Sequence, residues 1–341
     1  MPKLFLSLLS LLALAVLARV AIAEPLAGYD RFTVPAPHRA GLVAASLWYP
    51  AGTPTYRGLV GDNPVFQGTE AMIGAGIAPG RHPLVLLSHG SGGNMDGLGW
   101  LSSRLAARGA IVLAVNHPGS TSGDSSPRRS LEFGDRARDL SRALDTLLAN
   151  PAFSPFIDPS RITALGFSLG GVTALNLAGA RFDPALYRDY CARNADQGDC
   201  VFFAKGGVDF AHLPEDFAAD ARDPRVTSLV AIDPGATHAL TTASLAAMTL
   251  PTLFVNLGGA ERWKSIDVSA AGSDLVHRLP QARYVVVEPA IHFTMLGLCK
   301  PEAHDLLLAE HDDPVCDDPA GADRAKAHAK IAEAVLAFLG L

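Results

Sequence analysis

Charge is scarce in this sequence, and clustered positive charge is absent. Asp, Glu, Lys and Arg make up 18% of the 341 residues, with 28 basic against 34 acidic and a net charge of −6. No Lys/Arg-rich run occurs, so the electrostatic footprint of a nucleic-acid partner is missing. There are only four cysteines, Cys191, Cys200, Cys299 and Cys316, and none forms a C-x-x-C pair, which argues against a zinc site. No ligand cluster of calcium type is present either, so no metal is expected. No G-x-G-x-x-G follows an early strand, and a dinucleotide cofactor is not indicated. Repeats, low-complexity tracts, a glycine period and heptads are all lacking, which excludes collagen and coiled coil.

What is present is a chain that is 49% hydrophobic, suited to a globular protein rather than a disordered one. Met1 to Ala23 reads as a secretory signal peptide: Lys3 gives a positive start, Leu4 to Leu17 is apolar apart from Ser7 and Ser10, and Ala21-Ile22-Ala23 is an A-x-A cleavage site. The apolar run is short of the roughly 20 residues a membrane span requires. Residues 24–341 are therefore expected as a secreted or periplasmic protein with no stable membrane span after cleavage, and no further long apolar run appears. An oxidising compartment favours disulfides. Four cysteines allow three pairings, of which Cys191–Cys200 with Cys299–Cys316 closes two short loops. Oligomeric state is not legible here.

Short apolar runs alternate with amphipathic helices. The runs are Arg31–Val34, Leu42–Tyr49, Pro83–Leu87, Ala110–Val115, Ile162–Phe167, Val226–Ile232, Pro251–Val255 and Arg283–Glu288. Several are continuously apolar, as in strands buried on both faces. Helices are expected over Leu98–Arg108, along the Phe133, Ala137, Leu140, Leu144, Leu147, Leu148 stripe, over Gly171–Gly179 and over Ala325–Leu339. This predicts a single α/β domain at 24–341, with a mostly parallel sheet of about eight strands and helices on both faces. Residues 181–225 break the rhythm, with two cysteines and scattered aromatics, and read as an insertion capping the sheet's upper edge. Its Tyr187, Tyr190, Phe202, Phe203 and Phe210 either line an acyl pocket or form the segment's own small core.

Gly166-Phe167-Ser168-Leu169-Gly170 is a G-x-S-x-G pentapeptide directly after one strand and directly before a helix. That context suits a serine lifted above the sheet on a tight, strained turn. Ser88-His89-Gly90-Ser91-Gly92-Gly93 follows an earlier strand. Acyl transfer needs two backbone N–H donors for the oxyanion, and we assign them to Ser91 and Leu169. His292, after the last strand, is placed to act as base for Ser168. His89, His117 and His238 read as structural or pocket-lining. The acid has three candidates: Asp233 at the end of Val226–Ile232, Glu261 after Pro251–Val255, and Asp267. The first two lie at carboxyl ends of strands, where such sites form.

These motifs, together with Val115-Asn116-His117-Pro118-Gly119, Val230-Ala231-Ile232-Asp233-Pro234 and Ile291-His292-Phe293, resemble the α/β-hydrolase superfamily over roughly Tyr29 to Leu341. The similarity is greatest to the dienelactone-hydrolase-like group that includes the platelet-activating-factor acetylhydrolases. In the acetylhydrolases the acid follows the strand just after the elbow's strand, which maps to Asp233; in many other members it follows the next strand, which maps near Glu261. Dienelactone hydrolase uses a cysteine nucleophile where this chain has Ser168, so its reaction does not carry over. The resemblance implies a serine hydrolase for small-molecule carboxylic esters, with Ser168, His292 and Asp233 as its catalytic triad. Amidase, peptidase or lactonase chemistry runs on the same triad. A non-catalytic exported binding protein on this fold is the reading from a different class.

Overall fold

Along His82–Ser88 the side chains divide by parity: Leu84 and Leu86 enter one buried layer, Val85 and Leu87 the other. Ile111–Val115 divides the same way, with Ile111, Leu113 and Val115 on one face and Val112 and Ala114 on its reverse. A strand apolar on both faces is stable only between two covering layers, and each fully buried Leu or Val contributes about 1.5–3 kcal/mol. The computed structural model describes residues 25–341. The expected leader, Met1–Ala23, lies outside the described residues.

Ten strands form the main sheet: β1 (Gly28–Val34), β2 (Val43–Tyr49), β3 (Arg57–Val60), β4 (Thr69–Ile73), β5 (His82–Ser88), β6 (Ile111–Val115), β7 (Ile157–Phe167), β8 (Ser228–Ile232), β9 (Thr252–Leu257) and β10 (Ala282–Val287). Their spatial order is β10-β9-β8-β7-β5-β6-β2-β1-β4-β3. From β10 to β6 every pairing is parallel, and β2 turns antiparallel against both β6 and β1. The expectation of about eight strands therefore needs correction. Each expected run is a strand of this sheet, but β3 and β4 were not anticipated. They form an edge, their residues are mostly exposed or half-buried, and they carry no continuous apolar run.

Four helices flank the sheet where the sequence places them: α1 (Gly99–Ala107), α2 (Phe133–Ala149), α3 (Leu169–Leu177) and, last in the chain, Arg324–Leu339. The α2 stripe of Leu140, Leu144 and Leu147 packs in one layer with Leu175 of α3. Leu101 and Leu105 of α1 share the other layer with Ile331 and Val335 of the terminal helix. Among the described residues no helix is long and apolar enough to cross a membrane.

The expected insertion contains α4 (Pro184–Arg193) and α5 (Gly198–Lys205). Asp183 caps α4 by accepting from the amides of Ala185 and Leu186, and Pro184 opens it. Tyr187, Tyr190, Phe203 and Phe217 are buried and join Phe133 and Phe182 in the main core. These aromatics mostly extend the core, while Phe202 is 40% exposed. Both disulfides take the local pairing: Cys191–Cys200 joins α4 to α5, and Cys299–Cys316 closes a second loop. Loop-closure entropy gives each about 2–3 kcal/mol of stabilisation. Replacing Cys191 and Cys200 together by Ala is expected to lower the unfolding free energy by that amount in urea titration; an unchanged midpoint at constant slope would contradict it.

Candidate active site

Ser168 sits between the end of β7 and the start of α3 with φ 57° and ψ −119°. A non-glycine residue there is strained, at a cost of about 1–3 kcal/mol. Two glycines make the turn possible. A Cβ on Gly166 would lie 1.8 Å from the Gly170 carbonyl oxygen, and one on Gly170 would lie 1.9 Å from that of Ser88. The Ser168 amide donates to Ile232 of the neighbouring strand at 3.0 Å, which fixes the turn to the sheet.

His292 reaches Ser168 from the turn after β10, with Nε2 3.1 Å from Oγ. Its Nδ1 lies 3.0 Å from Oδ2 of Asp233. The imidazole packs between the rings of Phe167 (4.6 Å) and Trp263 (5.2 Å). Asp233 follows β8, is fully buried and is itself left-handed at φ 44°. Its Oδ1 accepts from the Asn256 side chain at 2.8 Å and from the Leu257 amide at 2.9 Å. Of the three acid candidates, only Asp233 bonds His292. Glu261 is exposed, and Asp267 is occupied by Arg262 at 3.0 Å.

The His292 turn is braced from below. Thr294 accepts the Ile291 amide at 2.9 Å and donates to Asp318 at 2.7 Å. The Thr294 carbonyl accepts from His328 Nε2 at 2.8 Å, and His328 stacks on Trp100 at 3.7 Å.

The Ser91 loop closes the other side. An ideal Cβ on Gly90 would lie 3.2 Å from Ser168 Cβ, so this backbone approaches the serine closely. Among the described residues neither the Ser91 nor the Leu169 amide has an acceptor, and both residues line the cleft above Ser168. His89 and His117 sit behind the loop, and neither bonds Ser168. His89 Nδ1 donates to the Gly90 carbonyl at 2.7 Å. His117 donates from Nδ1 to Asp139 at 2.9 Å and accepts from Ser88 Oγ at 3.0 Å. That pattern requires a neutral ring, and burial together with the Arg136 charge pushes His117 down to about 3. His238 stacks on Tyr190 at 4.1 Å, away from Ser168.

Arg136, fully buried, ties these parts together. It donates to Thr173 of α3 at 2.9 Å, to Ser88 Oγ at 3.1 Å, and to Ser120 Oγ and the His89 carbonyl. Burial pushes its guanidinium down to about 9. Nearby Asp139 accepts from His38, Arg39 and His117. Burial alone would raise the Asp139 carboxyl, but those donors outweigh it and hold the group well below its ordinary value.

A cleft of about 1110 Å³ runs over Ser168 and is lined mainly by apolar side chains, Phe66, Trp100, Phe202, Trp263 and Phe293 among them. Sequence reasoning missed Asn256, Arg136 and Trp263. The signal for Asn256 was a lone amide in an otherwise apolar strand, and for Arg136 a guanidinium on the buried side of a helix stripe.

A parallel sheet of this order, with hydroxyl, imidazole and carboxylate on three loops at its carboxyl edge, defines a class. Residues 84–336 match the family described as the Alpha/beta hydrolase family, and the chain belongs to it. It is 34% identical over 102 residues to cutinase est2 of Thermobifida alba, an alignment covering 29% of this chain and 31% of that protein. Against cutinase 2 of Thermobifida cellulosilytica it is 33% identical over 146 residues, 42% of each chain. The chain thus spans well under half the length of the curated relatives it matches. A ferulic acid esterase from Streptomyces cinnamoneus has the same fold, with TM-score 0.57 and 20% identity over 94% of this chain and 91% of that one.

The buried acid network has a pH signature. A carboxylate held below its unfolded pKa stabilises the fold above that pKa and loses its contribution as pH falls through the folded value. Asp139→Asn is expected to cost about 3 kcal/mol at pH 7. The gap to wild type should narrow as pH falls below the ordinary 3.8 of an aspartate. A gap that stays constant in denaturant titrations across the acid range would overturn this.

Proposed function

We propose that the protein is an exported serine hydrolase that cleaves carboxylic esters through an acyl-enzyme on Ser168. The observation that carries this reading is the 3.1 Å approach of His292 Nε2 to Ser168 Oγ, with Asp233 at 3.0 Å behind the ring. His292 Nε2 takes the hydroxyl proton as Ser168 Oγ attacks the ester carbonyl. The C=O bond becomes an oxyanion that accepts from the Ser91 and Leu169 amides, and the Leu169 amide opens a helix N-terminus that favours negative charge. As the intermediate collapses, His292 returns the proton to the departing alcohol. Water, deprotonated by the same imidazole, then attacks the acyl carbon, and as the bond to Ser168 Oγ breaks His292 returns that proton to Oγ and the acid is released. Asp233 holds the Nδ1–H tautomer and stabilises the imidazolium, without itself taking the proton.

The names of the cutinase relatives and of the esterase with the same fold support ester bonds as the target. The two disulfides support an oxidising compartment, secreted or periplasmic. The segment 181–225 acts as a cap, since Val201, Phe202 and Phe203 of α5 line the cleft.

Ser168→Ala should lower p-nitrophenyl butyrate hydrolysis by at least about 10³-fold and abolish fluorophosphonate labelling, with circular dichroism unchanged. Asp233→Asn should lower kcat by about 10⁴-fold, whereas Glu261→Gln should change it by no more than about twofold. Retained turnover in Ser168→Ala would remove the serine from the mechanism. Faster cleavage of a matched amide would move the reading to amidase chemistry.

A further inference from the structure

Three carboxylates line the cleft without a part in the mechanism above, and Asp199 is the one among them that is not exposed. Asp199, in the first turn of α5, is half-buried and lines the cleft wall. Its Oδ2 accepts from the Tyr187 hydroxyl at 3.1 Å and its Oδ1 from the Cys200 amide at 2.9 Å. Among the described residues no cation pairs with it. It is close to the chemistry: the preceding Gly198 approaches the Trp263 indole, 3.6 Å from an ideal Cβ, and Trp263 packs on the His292 ring at 5.2 Å. Two residues beyond Trp263, Ser265 lines the same cleft; it is 1% exposed and its Oγ has no partner among the described residues. The Tyr190 hydroxyl behind Asp199 is likewise buried and unpartnered. Buried polar groups are normally hydrogen-bonded, so this wall offers acceptor capacity that the protein leaves unused.

The charge around the cleft points the same way. Besides Asp199 it is lined by Asp312 and Asp313, and Lys205 is the single Lys or Arg among its lining residues. Trp263 and Phe202 add aromatic faces, which attract cations and not anions. An ammonium adds charge–charge attraction to the hydrogen bond that a neutral hydroxyl would also make to a carboxylate.

We propose that Asp199 and Ser265 form a subsite for a protonated amine, so that the esters best cleaved carry an ammonium group in their acyl or alcohol part. This rests on the serine-hydrolase reading of the cleft. The ammonium donates to Asp199 and to Ser265 Oγ, while the ester carbonyl lies over Ser168. Burial pushes the Asp199 carboxyl up to about 6. The subsite is therefore charged at pH 8 and fades as pH falls through that value. The titratable groups facing it from α4 are Tyr187 and Tyr190; Asp196 and His238 lie by Tyr190, and Lys205 of α5 lines the same cleft. Burial pushes His238 down from the ordinary histidine value.

The test compares cationic esters with neutral isosteres on both sides of the ester bond: p-nitrophenyl 6-aminohexanoate against the heptanoate, and 6-aminohexyl butyrate against heptyl butyrate. At pH 8, kcat/KM should favour the cationic member of at least one pair by about tenfold. Whatever pH dependence the two members of a pair share cancels in the ratio. The ratio should fall towards 1 below pH 6, fall to about 1 in Asp199→Asn, and drop about threefold in Ser265→Ala. Calorimetric binding of the same esters to Ser168→Ala reads the subsite without turnover. It should show tighter binding of the cationic member, lost when Asp199→Asn is added. Equal handling of both pairs, a preference that survives Asp199→Asn, or one lost only in Asp312→Asn/Asp313→Asn overturns the subsite. Binding preference without turnover of any ester would instead sink the hydrolase reading and leave the subsite standing.

Discussion

The site depends on how closely two stretches of backbone approach under Ser168. At Gly170 the first turn of α3 lies against the Ser88 carbonyl, and at Gly166 the last turn of β7 lies against Gly170 itself. Any side chain at either position would push the helix off the sheet, and the serine would leave the reach of His292. The left-handed backbone of Ser168 is costly on its own, but the parallel strands on both sides are fully buried and cannot relax to relieve it. The same approach brings Gly90 to the flank of the serine. A single packing constraint therefore sets the position of the candidate nucleophile Ser168 and of both candidate oxyanion amides.

Around that constraint the structure spends buried polar groups in two ways. Asn256 and the Leu257 amide fill one oxygen of Asp233 and leave the other for His292. Asn256 is itself held by Val268, Ile266 and Tyr284, so the carboxylate has no alternative orientation. Beneath the Ser91 loop, the Arg136 guanidinium spans β5, α3 and the Ser120 loop, joining the two elements that carry the candidate oxyanion amides. A buried charge without full hydrogen bonding is strongly destabilising. These networks therefore fix geometry because every alternative arrangement leaves a charge or amide unsatisfied. Asp199 differs: its two protein donors are neutral and its wall keeps unused acceptors.

What the sequence made legible follows from what is local. Most of the eight apolar runs were readable because both faces of the strand are buried, as along β5 and β6, which removes polar alternation; β1 and β10 are only partly buried. β3 and β4 were not readable, since an edge strand needs few apolar residues. Ser168 announced itself through glycines that lie within five residues, although at Gly170 the steric requirement is set by Ser88 on a neighbouring strand. His292 and Asp233 were readable as residues following strands, but position at a strand end does not separate Asp233 from Glu261. The separation comes from burial and from Asn256, which depend on strand neighbours far apart in sequence. Arg136 and Asp199 escaped notice for the same reason: an isolated charge on a helix gives no local sign that its partners lie on other elements.

The two disulfides divide the labour between sheet and wall. Ser168 and Asp233 stand on loops rooted in central strands, and His292 on the turn after the edge strand β10, braced by Thr294 and His328. The cleft walls have no such roots. α5, with Asp199 and Phe202, is joined to α4 by Cys191–Cys200. The stretch carrying Asp312, Asp313, Pro314 and Val315 precedes Cys316, which is bonded to Cys299. Arg324 then ties this loop to the His292 turn by bonding the Val315 carbonyl, Asp318 and the Gly297 carbonyl. A wall built from short helices and irregular chain would open locally at low cost. Cross-linking it removes that freedom in the unfolded chain and keeps the lining residues in register with a reaction centre they do not touch. Chemistry and selectivity thus rest on different sources of rigidity, parallel packing for one and covalent closure for the other.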